Sequence, residues 1–587
     1  MKSPRIEDYA LIGDCETAAL VGRNSSLDWL CWPEFSSPAC FAALLGTPEN
    51  GRWLMAPKSS RVNTTRRYRP HTLILETRFE TSSGVVELID LMPIREKNSN
   101  VIRIVRGREG KVPMRMELML RFEYGRTVPW LEKAGDDTWI ASAGASMAIL
   151  RTSEKVQEEE DGLLSADFTV KSGESVVFVL TYGRSYEQPP APIDPEKALI
   201  ETDAFWTKWC SQGRYQGPWI NAVERSLMTL KALTYHPSGG IVAAPTTSLP
   251  ERIGGSLNWD YRYCWLRDAS LALAAMIDAG FHEDAIHWKR WLLRAGGRNA
   301  SQVQIMYGLA GERQILEWEA DWLPGYQQSS PVRVGNAAVK QTQHDIYGEM
   351  AHALFHARES GIPCDERELK LQQNLTEHLT KVWRQPSSGM WEERSEPRHF
   401  TCARAMAWVA LDRAVHSIER HGMDGPLRKW KKLRDHIHAD VCRRGFHKRL
   451  NSFVQHYGSK RLDASLLLIP IFGFLPASDP RMLGTIHAIE KHLLADGIVL
   501  RNIPETREAK QGAFLACSFW LVENLSMIGR DDDARKLFEK LLTLANDVGL
   551  LAEEYDIHEK RLLGNFPQAL SHIALVNAAL RLNSRSP

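Results

Sequence analysis

Two acid pairs in the chain could move protons: "MWEE" at residues 390–393 and "AEEYD" at 552–556. Adjacent carboxyls beside an aromatic ring in a confined space repel one another as anions, so one can stay protonated near neutral pH. A protonated carboxyl can donate to a leaving oxygen, and an ionised one can take a proton from water. Together those acts cleave a glycosidic bond. Taken singly, Glu392, Glu393, Glu553 and Glu554 also suit acids at a helix start, facing water and favoured by the helix dipole. A second constellation, "NWDYRYCWLRDA" at 258–269, holds two Trp, two Tyr, two Arg and two Asp. Apolar bulk and full charge alternate there too finely for a core strand, and the segment reads as a loop leading into a helix. Flat rings cover the C–H faces of a sugar, while Arg and Asp pair with its adjacent hydroxyls.

Whole-chain composition narrows the classes. The 73 Lys+Arg against 72 Asp+Glu leave a net charge of +1, without the basic excess of a nucleic-acid binder. No apolar run reaches the ~18 residues of a membrane span. The N-terminal segment carries charges where a signal peptide needs an apolar centre. Nine cysteines stand singly, without a C-x-x-C pair, and read as free thiols of a cytoplasmic protein. His352 and His356 have the spacing of a zinc pair on a helix, but the Glu of H-E-x-x-H is missing, so no metal is expected. No phosphate-binding loop or dinucleotide fingerprint follows a strand, and no cofactor is expected.

The elements that must position these groups fall into two textures. Residues 1–190 alternate with period two and break at Gly, Ser, Asn and Pro, which predicts an antiparallel β-sandwich. Residues 191–218 form a linker with a helix. From 219 to 587 the period becomes helical, with twelve candidate helices. Asp268 and Asp463 are placed as N-caps, and Gly280, Gly361 and Gly529 as C-terminal stops. Short and long joins alternate, so the helices pair into six hairpins: an (α/α)6 barrel with the more apolar second, fourth and later even candidates as its inner ring. All the long joins then open on one face, around one pit. They carry the segments above, Glu317 and Glu319 as rival acids on the substrate side, and Arg333, Asn336, Gln343 and Asp345 as lining or bracing groups.

"NWDYRYCWLRDAS", "SPVRVGNAAVKQTQHDIYGE", "MWEERSEPRHF", "AEEYD…GNFPQALSHIAL" and the opening 8–46 together resemble the bacterial branch of glycoside hydrolase family 15, which contains glucoamylases, glucodextranases and trehalases. The resemblance implies a sandwich followed by an (α/α)6 barrel, and release of glucose from non-reducing α-glucosyl ends with inversion. By motif it implies Glu392 as general acid and Glu553 as general base. Arg267 and Asp268 would grip the innermost glucose, with Tyr261 and Trp265 as wall. Arg501 is the best match to an arginine of that subsite, although "LRNIPETREAKQGAF" lacks the Gly-rich stretch expected after it. Glu317, Arg333, Glu393 and Glu554 complete the expected substrate-side set. The expected partner is a small carbohydrate, with trehalose favoured over a glucoamylase-type α-1,4 or α-1,6 oligosaccharide, because no starch-binding module or export signal is seen. A homo-oligomer is left open. Two other classes are weighed: a sugar-binding protein without activity, which should lack one carboxylate, and a phosphorylase, which should need phosphate.

Overall fold

The computed structural model describes residues 4–503 and 512–584. Its N-terminal part is two antiparallel sheets sharing one long strand, Asn100–Met119. The first half of that strand pairs with Gly84–Leu91 and Ser175–Arg184, and the second half with Arg52–Pro57 and Leu163–Lys171. The change of sheet falls at Gly107–Gly110. A Cβ on Gly107 would lie 2.0 Å from the Lys171 carbonyl oxygen, so only glycine lets the strand cross there. The sandwich core is aliphatic and aromatic, with Trp29 and Trp53 fully buried.

A helix α1 (Pro195–Cys210) follows, started by Asp194, whose carboxylate accepts from the backbone N–H of Glu196 and Lys197. Ala198 and Leu199 cover an outer sheet face built from Ile74, Ile89, Leu91, Ile102 and Ile104. At its other end Trp209 stacks on Phe281 at 4.2 Å and donates to Asp284 at 2.7 Å. One short helix therefore touches both parts of the chain.

The twelve expected helices are all present among the described residues: α2 (Ile220–Ala232), α3 (Leu266–Ala279), α4 (His282–Gly296), α5 (Asp345–Glu359), α6 (Glu366–Val382), α7 (Thr401–His421), α8 (Leu427–Arg444), α9 (Leu468–Ile471), α10 (Pro480–His492), α11 (Leu515–Met527), α12 (Asp531–Leu542) and α13 (Ala569–Asn583). Helices α3, α5, α7, α9, α11 and α13 contact one another in order, and α13 returns to α3, closing the inner ring. These are the more apolar helices, as the sequence pattern predicts. Gly280 ends α3 in the left-handed conformation at φ 96°, and Asp463 accepts from the Ser465 N–H ahead of α9. Asp268 corrects its expectation. Helix α3 begins at Leu266, and Asp268 lies inside the first turn rather than capping it.

The segment at 258–265 is only partly the loop it resembles: two short strands flank residues 261–263, which lie outside any strand. Asn258–Asp260 pairs with Thr247–Pro250, and Cys264–Trp265 pairs with Met306–Tyr307. Extended backbone sends alternate side chains to opposite sides. Trp259, Tyr261 and Trp265 take one side. Asp260 and Arg262 take the other and are both fully buried. The Arg262 guanidinium binds Asp260 through Nε (2.9 Å) and Nη2 (2.6 Å). It also donates across to the sandwich, to the Tyr124 hydroxyl at 2.9 Å and the Ser37 carbonyl at 3.0 Å. Fine alternation of charge and ring misleads as a strand signal only because two full charges neutralise each other in the interior.

Replacing Arg262 with Met should leave Asp260 charged, buried and unpaired, at a cost of about 3–5 kcal/mol. The expected result is a large fall in the urea midpoint followed by circular dichroism, partly recovered when Asp260→Asn is added. An unchanged midpoint would show that the pair holds nothing.

Candidate functional site

A cavity of about 310 Å³ opens where the inner ring meets the long joins. That is the small end of the ~300–1,000 Å³ range of small-molecule pockets. Tyr261 and Trp265 of the extended segment, Arg267 and Asp268 of the first turn of α3, Glu392 and Glu393 of the turn before α7, and Arg501 before α11 all line it. The inner ring thus turns helix starts toward one hollow, and residues up to 240 positions apart in sequence meet there.

Glu392 is held in an unusual backbone conformation, φ 58°, which costs a non-glycine residue about 1–3 kcal/mol and persists only where the surroundings enforce it. Its carboxylate accepts from the Trp265 indole N–H at 2.7 Å. Burial pushes the carboxyl up to about 7, against the opposing pull of Arg267 and the Trp265 bond, with Asp268 and Asp345 adding to the rise. It can therefore hold a proton near neutral pH and still release it.

Arg267 spends most of its fork inside the wall. Nε donates to Glu349 (3.1 Å), Nη1 to the Met390 carbonyl (2.9 Å), and Nη2 to Gln343 (2.6 Å) and Asp345 (3.0 Å). Four of its five N–H groups are used, leaving one Nη1 hydrogen toward the cavity. Gln343 and Asp345 thus brace Arg267 rather than reach the hollow. Asp268 beside it is raised to about 6 by burial, against Arg267.

Glu553 does not line the cavity. It is 1% exposed and meets the cavity through Tyr261, whose hydroxyl donates to it at 2.5 Å. The Asn565 backbone N–H supports its other oxygen at 3.4 Å. Burial and the neighbouring Glu251 raise its proton affinity, while Tyr261 and Arg501 pull it down. Glu554 is displaced further. It is fully buried, with the Gly512 backbone N–H beside it and no side-chain hydrogen-bond partner among the described residues. Burial first, then Glu251, raises it well above the usual carboxylate range, and a neutral acid fits that setting better than a substrate ligand. Glu393 is exposed at the mouth, with Asn502 at 3.4 Å. Glu317 and Arg333 stand behind the rim: Glu317 binds Arg394, and the Arg333 guanidinium lies over the Trp259 ring. The stretch after Arg501, where a departure from the pattern is noted, lies at 504–511, outside the described residues.

Sequence reasoning missed Glu251, Trp259 and Arg394, all of which line the cavity. Glu251 accepts from the Trp259 indole (2.9 Å) and from Arg501 (3.2 Å). A lone acid in "SLPERIGG" gives no spacing signal. Arg394 directly follows the acid pair, and Trp259 belongs to the aromatic segment, so both sat beside recognised motifs.

Two family models match the chain: trehalase-like, N-terminal, over residues 1–206, and glycosyl hydrolases family 15 over 217–580. A trehalase of Mycolicibacterium smegmatis is 37% identical, the alignment covering 99% of this chain and 91% of that protein. A trehalase of Thermoplasma volcanium is 33% identical, covering 99% and 94%. A bacterial glucoamylase solved with acarbose superimposes with a TM-score of 0.73 at 12% identity, over 99% of this chain and 94% of that one, a likeness of fold. Sandwich, closed double ring of helices and full-length matches agree, and the chain belongs to glycosyl hydrolases family 15.

Proposed function

We propose that the enzyme hydrolyses trehalose to two glucose molecules with inversion at the attacked carbon. The observation that carries the reading is Glu392, a half-buried carboxyl at the cavity wall whose proton affinity is raised to about 7. The two trehalases that align with nearly the whole chain support the substrate.

In this reading Glu392 protonates the bridging oxygen as its bond to the anomeric carbon breaks. A water oxygen bonds that carbon from the opposite face and passes a proton to Glu553, which Tyr261 and Asn565 stabilise as the anion. Asp268 and the remaining Arg267 N–H hold hydroxyls of the ring being cleaved, gaining strength as it flattens. Residues 219–587 do the chemistry, 1–190 support them and 191–218 join the two. Nine free thiols favour a cytoplasmic setting. Among the described residues no helix is long and apolar enough to cross a membrane.

Glucose release should be measured from trehalose, maltose, isomaltose and soluble starch in parallel, with trehalose expected to be preferred. NMR should show the β-anomer appearing first from the attacked ring. Preference for starch, or retention, would overturn the reading. Glu392→Gln and Glu553→Gln should each lower kcat by about 10²–10⁴-fold while leaving thermal unfolding nearly unchanged.

The pH profile gives an independent check. The acid works only while protonated, so activity should fall as pH rises through about 7. The Trp265 N–H stabilises the ionised carboxylate. Trp265→Phe removes that bond, raises the proton affinity and should move the basic limb to higher pH. A shift to lower pH would contradict this role for Glu392.

A further inference from the structure

Beyond the groups assigned so far, the cavity mouth holds a tethered assembly from four separate segments. The Trp259 ring carries two guanidiniums, Arg333 at 4.5 Å and Arg394 at 4.4 Å from its centroid. Arg394 Nη2 grips both oxygens of Glu317, at 2.9 and 2.6 Å, and Glu317 also accepts from the Ala337 N–H at 2.9 Å. Arg333 is fixed by the carbonyls of Ser256 and Asn258. The Trp259 N–H ends on Glu251 inside the cavity. The indole is thus held by its faces and by its nitrogen, which leaves it little rotational freedom.

We infer that Arg394 is a specificity-determining residue that binds the leaving sugar, positioned by Glu317 and Trp259; the inference rests on the hydrolase reading above. Arg394 lies two residues beyond Glu392 on the same turn, on the side where the leaving oxygen is protonated. It lines the cavity, and its hydrogen bonds to Glu317 use Nη2. The Nε and Nη1 hydrogens remain to meet hydroxyl oxygens, in a fork suited to adjacent pairs. Neutral sugar hydroxyls bound by a charged donor are well matched to such a site.

The tether reaches the N-terminal sandwich. Trp318, next to Glu317, packs edge-on against Tyr124 at 5.9 Å, and the Trp322 indole donates to the Tyr124 carbonyl at 3.0 Å. Gly335 closes the rim hairpin at φ 81°, where a Cβ would lie 1.8 Å from the Leu316 carbonyl oxygen. The sandwich therefore sets the height of the rim that holds Arg394.

The test compares a disaccharide with α-D-glucosyl fluoride, which keeps the cleaved ring but has no leaving sugar. Arg394→Ala should lower kcat/KM for trehalose by roughly 10–100-fold, the loss of one or two charge-assisted hydrogen bonds, and change the fluoride by less than about 2-fold. Arg394→Lys should recover part of the loss. Glu317→Ala, which frees the guanidinium, should act in the same direction, mainly on KM. Equal loss on both substrates, or none on trehalose, would overturn the inference. If the wild-type enzyme proves to prefer another disaccharide, the trehalose reading falls, and the same ratio taken on that disaccharide still decides the role of Arg394.

Discussion

The buried Asp260–Arg262 pair is the constraint on which the rest of the molecule depends. It joins barrel to sandwich through Tyr124 and Ser37 and fixes an extended segment in one register. Within the strand Asn258–Asp260 the side chains alternate. Asp260 and Arg262 face the sandwich, while Trp259, Tyr261 and Trp265 line the cavity. Slipping by one residue would put charges in the cavity wall and indoles against the sandwich. Asp260 reinforces the register by accepting from the Gly335 N–H, which ties in the rim hairpin as well. A pair placed far from any proton transfer therefore aims Trp265 at Glu392 and Tyr261 at Glu553.

Electrostatically the cavity has two poles, each centred on one arginine. Arg267 serves Glu349 and Asp345 and offsets part of the burial effect at Glu392. Arg501 pairs with Glu251 and pulls against the rise at Glu553 and Glu554. Burying carboxyls raises their proton affinity, and the nearby guanidinium decides how far. At the first pole the balance leaves Glu392 near 7. At the second, three acids share one guanidinium, and Glu554, without a side-chain donor among the described residues, is the best suited to neutrality. At Glu553 burial and Glu251 raise the proton affinity, and the donors Tyr261 and Asn565 offset part of that rise.

The architecture was legible because its signals are local and periodic. Helical period, glycine stops such as Gly280 and the alternation of join lengths each report one element, and their sum closes a ring. The acids Glu392 and Glu553 were legible as motif members. What the sequence hid is direction and distance. Asp268 looks like a cap because an Asp before an apolar run usually is one, yet the helix starts earlier, at Leu266. The 258–265 segment looks unfit for a strand because the partners of its charges lie two residues away and in another domain. Glu251 carries no spacing signal, since its role comes from Arg501 and Trp259, contacts made only in the fold.

The adjacent acids that first suggest chemistry do not work as pairs. Glu392 is half-buried, with a positive φ, and accepts from Trp265, while Glu393 is exposed at the mouth. Glu553 is held by the Tyr261 hydroxyl, while Glu554 is buried with no side-chain donor among the described residues. In each case the backbone sends two neighbouring carboxyls into different surroundings, although Glu553 still adds to the rise at Glu554. The coupling that matters joins distant positions: Glu251 raises Glu553 across some 300 residues of sequence, and Asp268 and Asp345 raise Glu392. Sequence adjacency marks the place, and the ring of helices chooses which acid of each pair is tuned and by what.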